Sequence, residues 1–122
     1  MINLRFFNTI KKKETELSKE ELIHKIENEL SSLQVYSIQV LENITIYEKR
    51  LAETNIKLDD LKKQSECALF KNNQRLYNKS LTKISDNEST VTYLSKTILD
   101  LKTKLQLAIT DIKYLEESLE GL

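Results

Sequence analysis

A chain of 122 residues with 19 basic and 19 acidic side chains has room for one domain and no charge surplus. The even balance argues against a general nucleic-acid binder, which needs excess positive charge over its contact face. A single Cys, a single Gly at position 121 and the lack of Pro exclude an internal disulfide and a Gly-rich phosphate loop, and leave nothing to interrupt long helices. No apolar run reaches the ~18 residues of a spanning helix. The N-terminus lacks the apolar core and cleavage site of a secretory signal, so a cytoplasmic protein is expected.

The first element predicted is a short amphipathic helix over residues 1–14. Ile2, Leu4, Phe6, Phe7 and Ile10 supply its apolar side, and Arg5, Lys11, Lys12 and Lys13 its charge. On a helix Ile2, Phe6 and Ile10 share one face with Phe7 beside it. Such a segment suits an interfacial membrane helix: the apolar face enters the headgroup boundary while the cations meet anionic lipid, at ~1 kcal/mol per basic residue. Packing of Phe6 and Phe7 onto the rest of the protein, or simple fraying, accounts for the same residues equally well.

A long helix is predicted from Ser18 to about Phe70. Ser18 followed three residues later by Glu21 reads as a capping box. From there a ladder of seven-residue steps runs through Ile26, Leu33, Val40, Tyr47, Thr54, Leu61 and Ala68. Its companion strip is Leu30, Ser37, Ile44, Leu51, Leu58 and Ser65. Lys71, Asn72, Asn73 and Gln74 form the predicted turn, because adjacent Asn residues are poor helix formers and tolerate turn conformations. A second helix is predicted from about Arg75 to Glu120. Its ladders are Ile84, Val91, Ile98, Leu105, Ile112 and Leu119, and Asn87, Leu94, Leu101, Ala108, Leu115 and Leu122.

Paired heptad ladders on two helices predict an all-α, antiparallel two-helix coiled-coil hairpin over residues 18–122. Centring it between Asn72 and Asn73 makes facing positions sum to 145. Ile26 then faces Leu119, Leu33 faces Ile112, Leu30 faces Leu115, and Ser65 faces Ser80. Leu58 opposite Asn87 is the one mismatch. Registers displaced by a heptad, with sums of 138 and 152, are the alternatives; the first sets Leu51 against Asn87. A lone hairpin buries one stripe per helix. Each buried Leu or Ile contributes ~1.5–3 kcal/mol against ~1–2 kcal/mol per residue ordered, so such a hairpin is marginal. Leu22, Ile23, Val35, Ile38, Leu41, Ile46, Leu69, Leu99, Leu107 and Ile109 fall off the seam and predict a second interface, hence self-association into homo-oligomers.

Catalytic chemistry is not expected. His24 is the only His and falls off the seam, with no companions at metal-ligand spacing. Cys67 has no partner residue, and the acidic side chains fall on outer faces rather than in a cleft. No metal and no cofactor are expected, and the chain is read as a non-enzyme.

The predicted hairpin tip, Ala68-Leu69-Phe70-Lys71-Asn72-Asn73-Gln74-Arg75-Leu76-Tyr77-Asn78-Lys79-Ser80-Leu81, resembles that of the phage-shock protein A family and its plastid relative, the vesicle-inducing protein. Family members carry a similar Ala-Leu pair, a Lys, and later leucines at the positions of Leu76 and Leu81, around a charged rather than Asn-rich turn. Leu22 to Leu30 looks like the opening of the family's first long helix, and Met1 to Phe7 like its membrane-binding helix. The resemblance implies an ESCRT-III-like peripheral membrane protein in membrane stress response, maintenance or remodelling. It implies attachment to anionic lipids on the inner face of the cell membrane, self-assembly through the hairpin, and a transcriptional activator or other protein as a further partner. The competing expectation is a soluble coiled-coil adaptor or chaperone, similar to a prefoldin subunit or a secretion stalk protein.

Overall fold

The computed structural model describes residues 18–122, which form two long helices packed against each other as an all-α hairpin. Helix α1 spans Lys19–Phe70 and helix α2 spans Gln74–Glu120. The expected N-terminal helix over residues 1–14 lies outside the described residues. No described helix is long and apolar enough to cross a membrane.

The start of α1 follows from its capping residue. The Glu21 amide donates to Ser18 Oγ at 3.1 Å, and the Leu22 amide donates to the Ser18 carbonyl at 3.0 Å. The second bond is the first of the helical ladder, and the first satisfies one of the four orphan donors of a helix start. Glu20 and Glu21 in the first turn also suit the positive end of the helix dipole.

The turn is built by two asparagines with different roles. Asn72 sits at φ 55°, in the left-handed region. Its amide donates to the Leu69 carbonyl at 3.1 Å, and the Asn73 amide donates to the Ala68 carbonyl at 2.9 Å. This is a Schellman ending with Asn in the place usually held by Gly. Asn73 then caps the next helix, its Oδ1 accepting from the Leu76 amide at 3.1 Å. The expected turn is thereby corrected at one end. Lys71, Asn72 and Asn73 lie outside the helices, but Gln74 is the first residue of α2, because the Asn73 cap starts the helix immediately behind it. The Gln74 side chain donates to Asn78 Oδ1 one turn on, at 3.0 Å.

The chain forms two compact units. One comprises residues 18–43 with 101–122, the other 44–100. In the first, Leu22, Ile26, Leu30, Leu33, Ala108 and Leu115 form the buried core, flanked by Tyr36, Ile112, Leu119 and Leu122. These are the ladder residues that the register sum of 145 brings together, with Leu22 added. Leu22 was expected on an outer face and is buried instead. Spacing explains the correction: Leu22, Ile26 and Leu30 follow at two successive four-residue steps, which tracks the straight-helix period of 3.6 rather than the 3.5 of a supercoil. Ile23 is half-buried beside it.

In the second unit Leu58, Leu61, Ala68, Leu94 and Ile98 are buried, together with the hydroxyl residues Ser65 and Ser80. Lys57, Asp60, Leu61 and Gln64 line one groove with Lys83, Asp86 and Asn87. That neighbourhood belongs to the sum of 145 and not to 138 or 152, either of which moves α2 by a heptad. The Leu58–Asn87 mismatch is resolved locally. Asn87 turns its Nδ2 onto the Lys83 carbonyl of its own helix at 2.7 Å, and Leu58 stays buried. Ser65 likewise donates to the Lys62 carbonyl at 2.7 Å, so a polar pair closes a narrow layer of the seam. Tyr47 is covered by Arg50, whose guanidinium stands 5.6 Å from the ring centre.

One seam position is left unsatisfied. Ser37 Oγ is buried with no hydrogen-bond partner, at the layer where the register sets it against the fully buried Ala108. An orphaned buried hydroxyl is costly, and Ala is the better helix former. Ser37→Ala is expected to stabilise the protein by about 1 kcal/mol, read as a higher thermal midpoint by circular dichroism. A lower midpoint would mean that the hydroxyl has a partner.

Candidate functional site

The residues expected to touch membrane, Ile2, Leu4, Arg5, Phe6, Phe7, Ile10, Lys11, Lys12 and Lys13, lie outside the described residues. The described surface offers three other features: the groove of the second unit, the outward aliphatic side chains, and the hairpin tip.

The groove beside Leu61 has a volume of about 520 Å³. Two lysines and two aspartates are among its lining residues, and none of these is a Ser, Cys or His. It therefore offers no hydroxyl, thiol or imidazole group. His24 is exposed, as its place off the seam predicts, and Cys67 is exposed as well. Among the described residues, no group of three or more His, Cys, Asp or Glu could hold a metal ion.

Among the described residues two carboxyls depart from their ordinary range, both in the first unit. Burial pushes Glu29 and Asp111 upward. Each lies next to a core position on its helix, at Leu30 and Ile112. A raised carboxyl pKa means that the charged form costs more in the folded chain than in the unfolded one. The stability these groups contribute is therefore present in acid and is lost as pH rises through their raised values.

The seam takes up one stripe of each helix and leaves others in water. In the first unit Val35, Ile38 and Leu41 are exposed along α1, and Leu107, Ile109 and Tyr114 along α2. In the second, Ile46, Ile56, Tyr93 and Leu99 are exposed. The outward positions expected from the sequence are therefore outward, Leu22 and Ile23 excepted. Tyr93, Ile56 and Tyr114 were not expected, because their isolated spacing carries no periodic signal.

The tip exposes Leu69, Leu76, Leu81 and above all Phe70, which is 90 % exposed at the last residue of α1. The position of Phe70 just past the last buried ladder residue, Ala68, is the sequence signal that it has no seam to enter. No family model, curated protein or solved structure matches the chain.

Proposed function

We propose that the protein is a peripheral membrane scaffold of the phage-shock protein A type. In this reading self-associating helical hairpins are held at anionic lipid on the inner face of the cell membrane and serve membrane stress response, maintenance or remodelling. The observation that carries the reading is the set of outward aliphatic residues. A hairpin whose seam is already filled still presents Val35, Ile38 and Leu41 to water, which is surface suited to a second copy. The basic and aromatic residues 2–13 supply the lipid attachment, and no catalytic step is involved. A transcriptional activator held by the hairpin is the partner that the family resemblance adds.

Co-sedimentation of the full chain with anionic vesicles tests the lipid half, and analytical ultracentrifugation over a concentration series tests the assembly half. Binding is expected to weaken as salt rises. It should fall at least tenfold in a Phe6→Ser, Phe7→Ser double variant, since burying each ring is worth ~1.5–3 kcal/mol. Binding unchanged by both treatments would remove the membrane reading. A monomer without lipid affinity would point instead to the soluble adaptor or chaperone class.

A further inference from the structure

The even charge of the whole chain hides a local surplus. Residues 61–82 carry five basic side chains, Lys62, Lys63, Lys71, Arg75 and Lys79, against one acidic, Glu66. The other described residues, 18–60 and 83–122, carry ten basic against sixteen acidic. The surplus coincides with the hairpin tip. Glu66 follows Lys62 and Lys63 by one helical turn and offsets part of that pair. After Glu66 no acidic residue occurs until Asp86.

This distribution works against the hairpin by itself. The first turn of α2 contains Arg75 and no acidic residue, which is the wrong sign for the positive end of a helix dipole. Arg75, Lys79 and Lys83 then follow at four-residue spacing, where like charges repel. The same stretch presents Phe70, 90 % exposed, beside exposed Leu69. Cations that repel each other around a bare aromatic ring suit a ligand that is both anionic and apolar.

We propose that the hairpin tip is a docking point for an anionic lipid surface, separate from residues 1–14. Phe70 and Leu69 enter the headgroup boundary, and Lys71, Arg75 and Lys79 meet lipid phosphates. The axial order fits. At 1.5 Å per residue, Lys63 and Lys79 stand about 8–10 Å behind the turn, comparable to the ~5–10 Å depth to which interfacial apolar groups bury. Phe70 is the one exposed aromatic ring of residues 61–82, with Tyr77 half-buried, and one ring makes no stacking row for a nucleic-acid strand. The inference shares lipid chemistry with the proposed function and uses different residues.

The chain has five Tyr and no Trp, so a Phe70→Trp variant carries a single Trp at the tip that can be excited selectively at the red edge of the absorption band, and 90 % exposure there makes the change harmless to packing. With full-length protein and phosphatidylcholine–phosphatidylglycerol vesicles, the emission is expected to shift to the blue and to be quenched by brominated acyl chains. Pure phosphatidylcholine vesicles should leave it unshifted. Adding Lys71→Gln, Arg75→Gln and Lys79→Gln should move the midpoint of the lipid titration by about 100-fold. Emission that stays water-like while the protein still pellets with anionic vesicles would overturn the tip proposal and leave attachment through residues 1–14 standing. A shift with soluble heparin or RNA, and none with vesicles, would overturn it in favour of a polyanion site.

Discussion

Leu115→Ala is expected to remove about 2–5 kcal/mol of stability, the usual cost of truncating a buried Leu. Leu115 is 2 % exposed and belongs to the core of the first unit with Ile26, Leu30 and Ala108. A hairpin has few neighbours able to collapse into the space, so the upper part of that range applies. Single domains have only ~5–15 kcal/mol in total, and a two-helix unit stands at the low end, so partial unfolding at room temperature should accompany the change. Urea titration followed by far-UV circular dichroism measures it. Leu107→Ala on the same helix is the matched control in dilute solution, because Leu107 is exposed and, away from a second copy, should change stability by no more than about 0.5 kcal/mol. If Leu107→Ala instead costs stability in a way that grows with protein concentration, that outward face is an interface between copies. A loss below about 1 kcal/mol for Leu115→Ala would place the seam elsewhere.

The second large effect is expected at Asn72. Its φ of 55° lies where an ordinary L-residue is strained by ~1–2 kcal/mol, and a β-branched residue by more. Asn72→Val should therefore destabilise the hairpin by about 2–3 kcal/mol. Asn72→Gly should be neutral or stabilising by up to about 1 kcal/mol, because Gly adopts this conformation freely and is the usual residue of a Schellman ending. The opposite signs of two changes at one exposed position are the test. Equal effects of Val and Gly, read by the same titration, would show that side-chain contacts and not backbone strain govern the turn.

Both effects concern features that the sequence already carried in outline. All residues of the two paired ladders in the described chain, from Ile26 to Ala68 and from Ile84 to Leu122, are buried or half-buried. The pattern is legible because a seven-residue apolar repeat has only one seam to occupy. The register was legible because Asn72 and Asn73 are the one good breaker between the two ladders, and centring the turn there also sets Ser65 against Ser80. The cap at Ser18 was legible because a hydroxyl before a helix has one local use. Leu22 was misplaced because a strict heptad count takes no account of the drift of a straight helix. Gln74 was misplaced because Asn73 is at once the end of the turn and the cap of α2. The basic tip escaped notice for a different reason. A net charge of zero averages a positive stretch against acidic ones, although the expected register already brings residues 62 and 79 to the same end of the hairpin. The candidate lipid contacts among residues 2–13 were legible as chemistry, and they lie outside the described residues.

The turn at Asn72 and Asn73 has a consequence for the order in which the protein assembles. Since so few residues separate the helices, contacts near the turn join segments close in sequence: Ser65 and Ser80 are 15 residues apart. Each layer farther from the turn joins more distant segments, until Ile26 and Leu119 are 93 residues apart. Loop-closure entropy rises with the logarithm of that separation, by about 1.6 kcal/mol between these two layers. Closing the first layers shortens the effective loop for the next, so the helices should zip from the turn outward, with kinetics characteristic of low contact order. Amide exchange should then be slowest around Leu61 and Ala68, and fastest near Ser18 and Gly121, where each strand of the zipper ends.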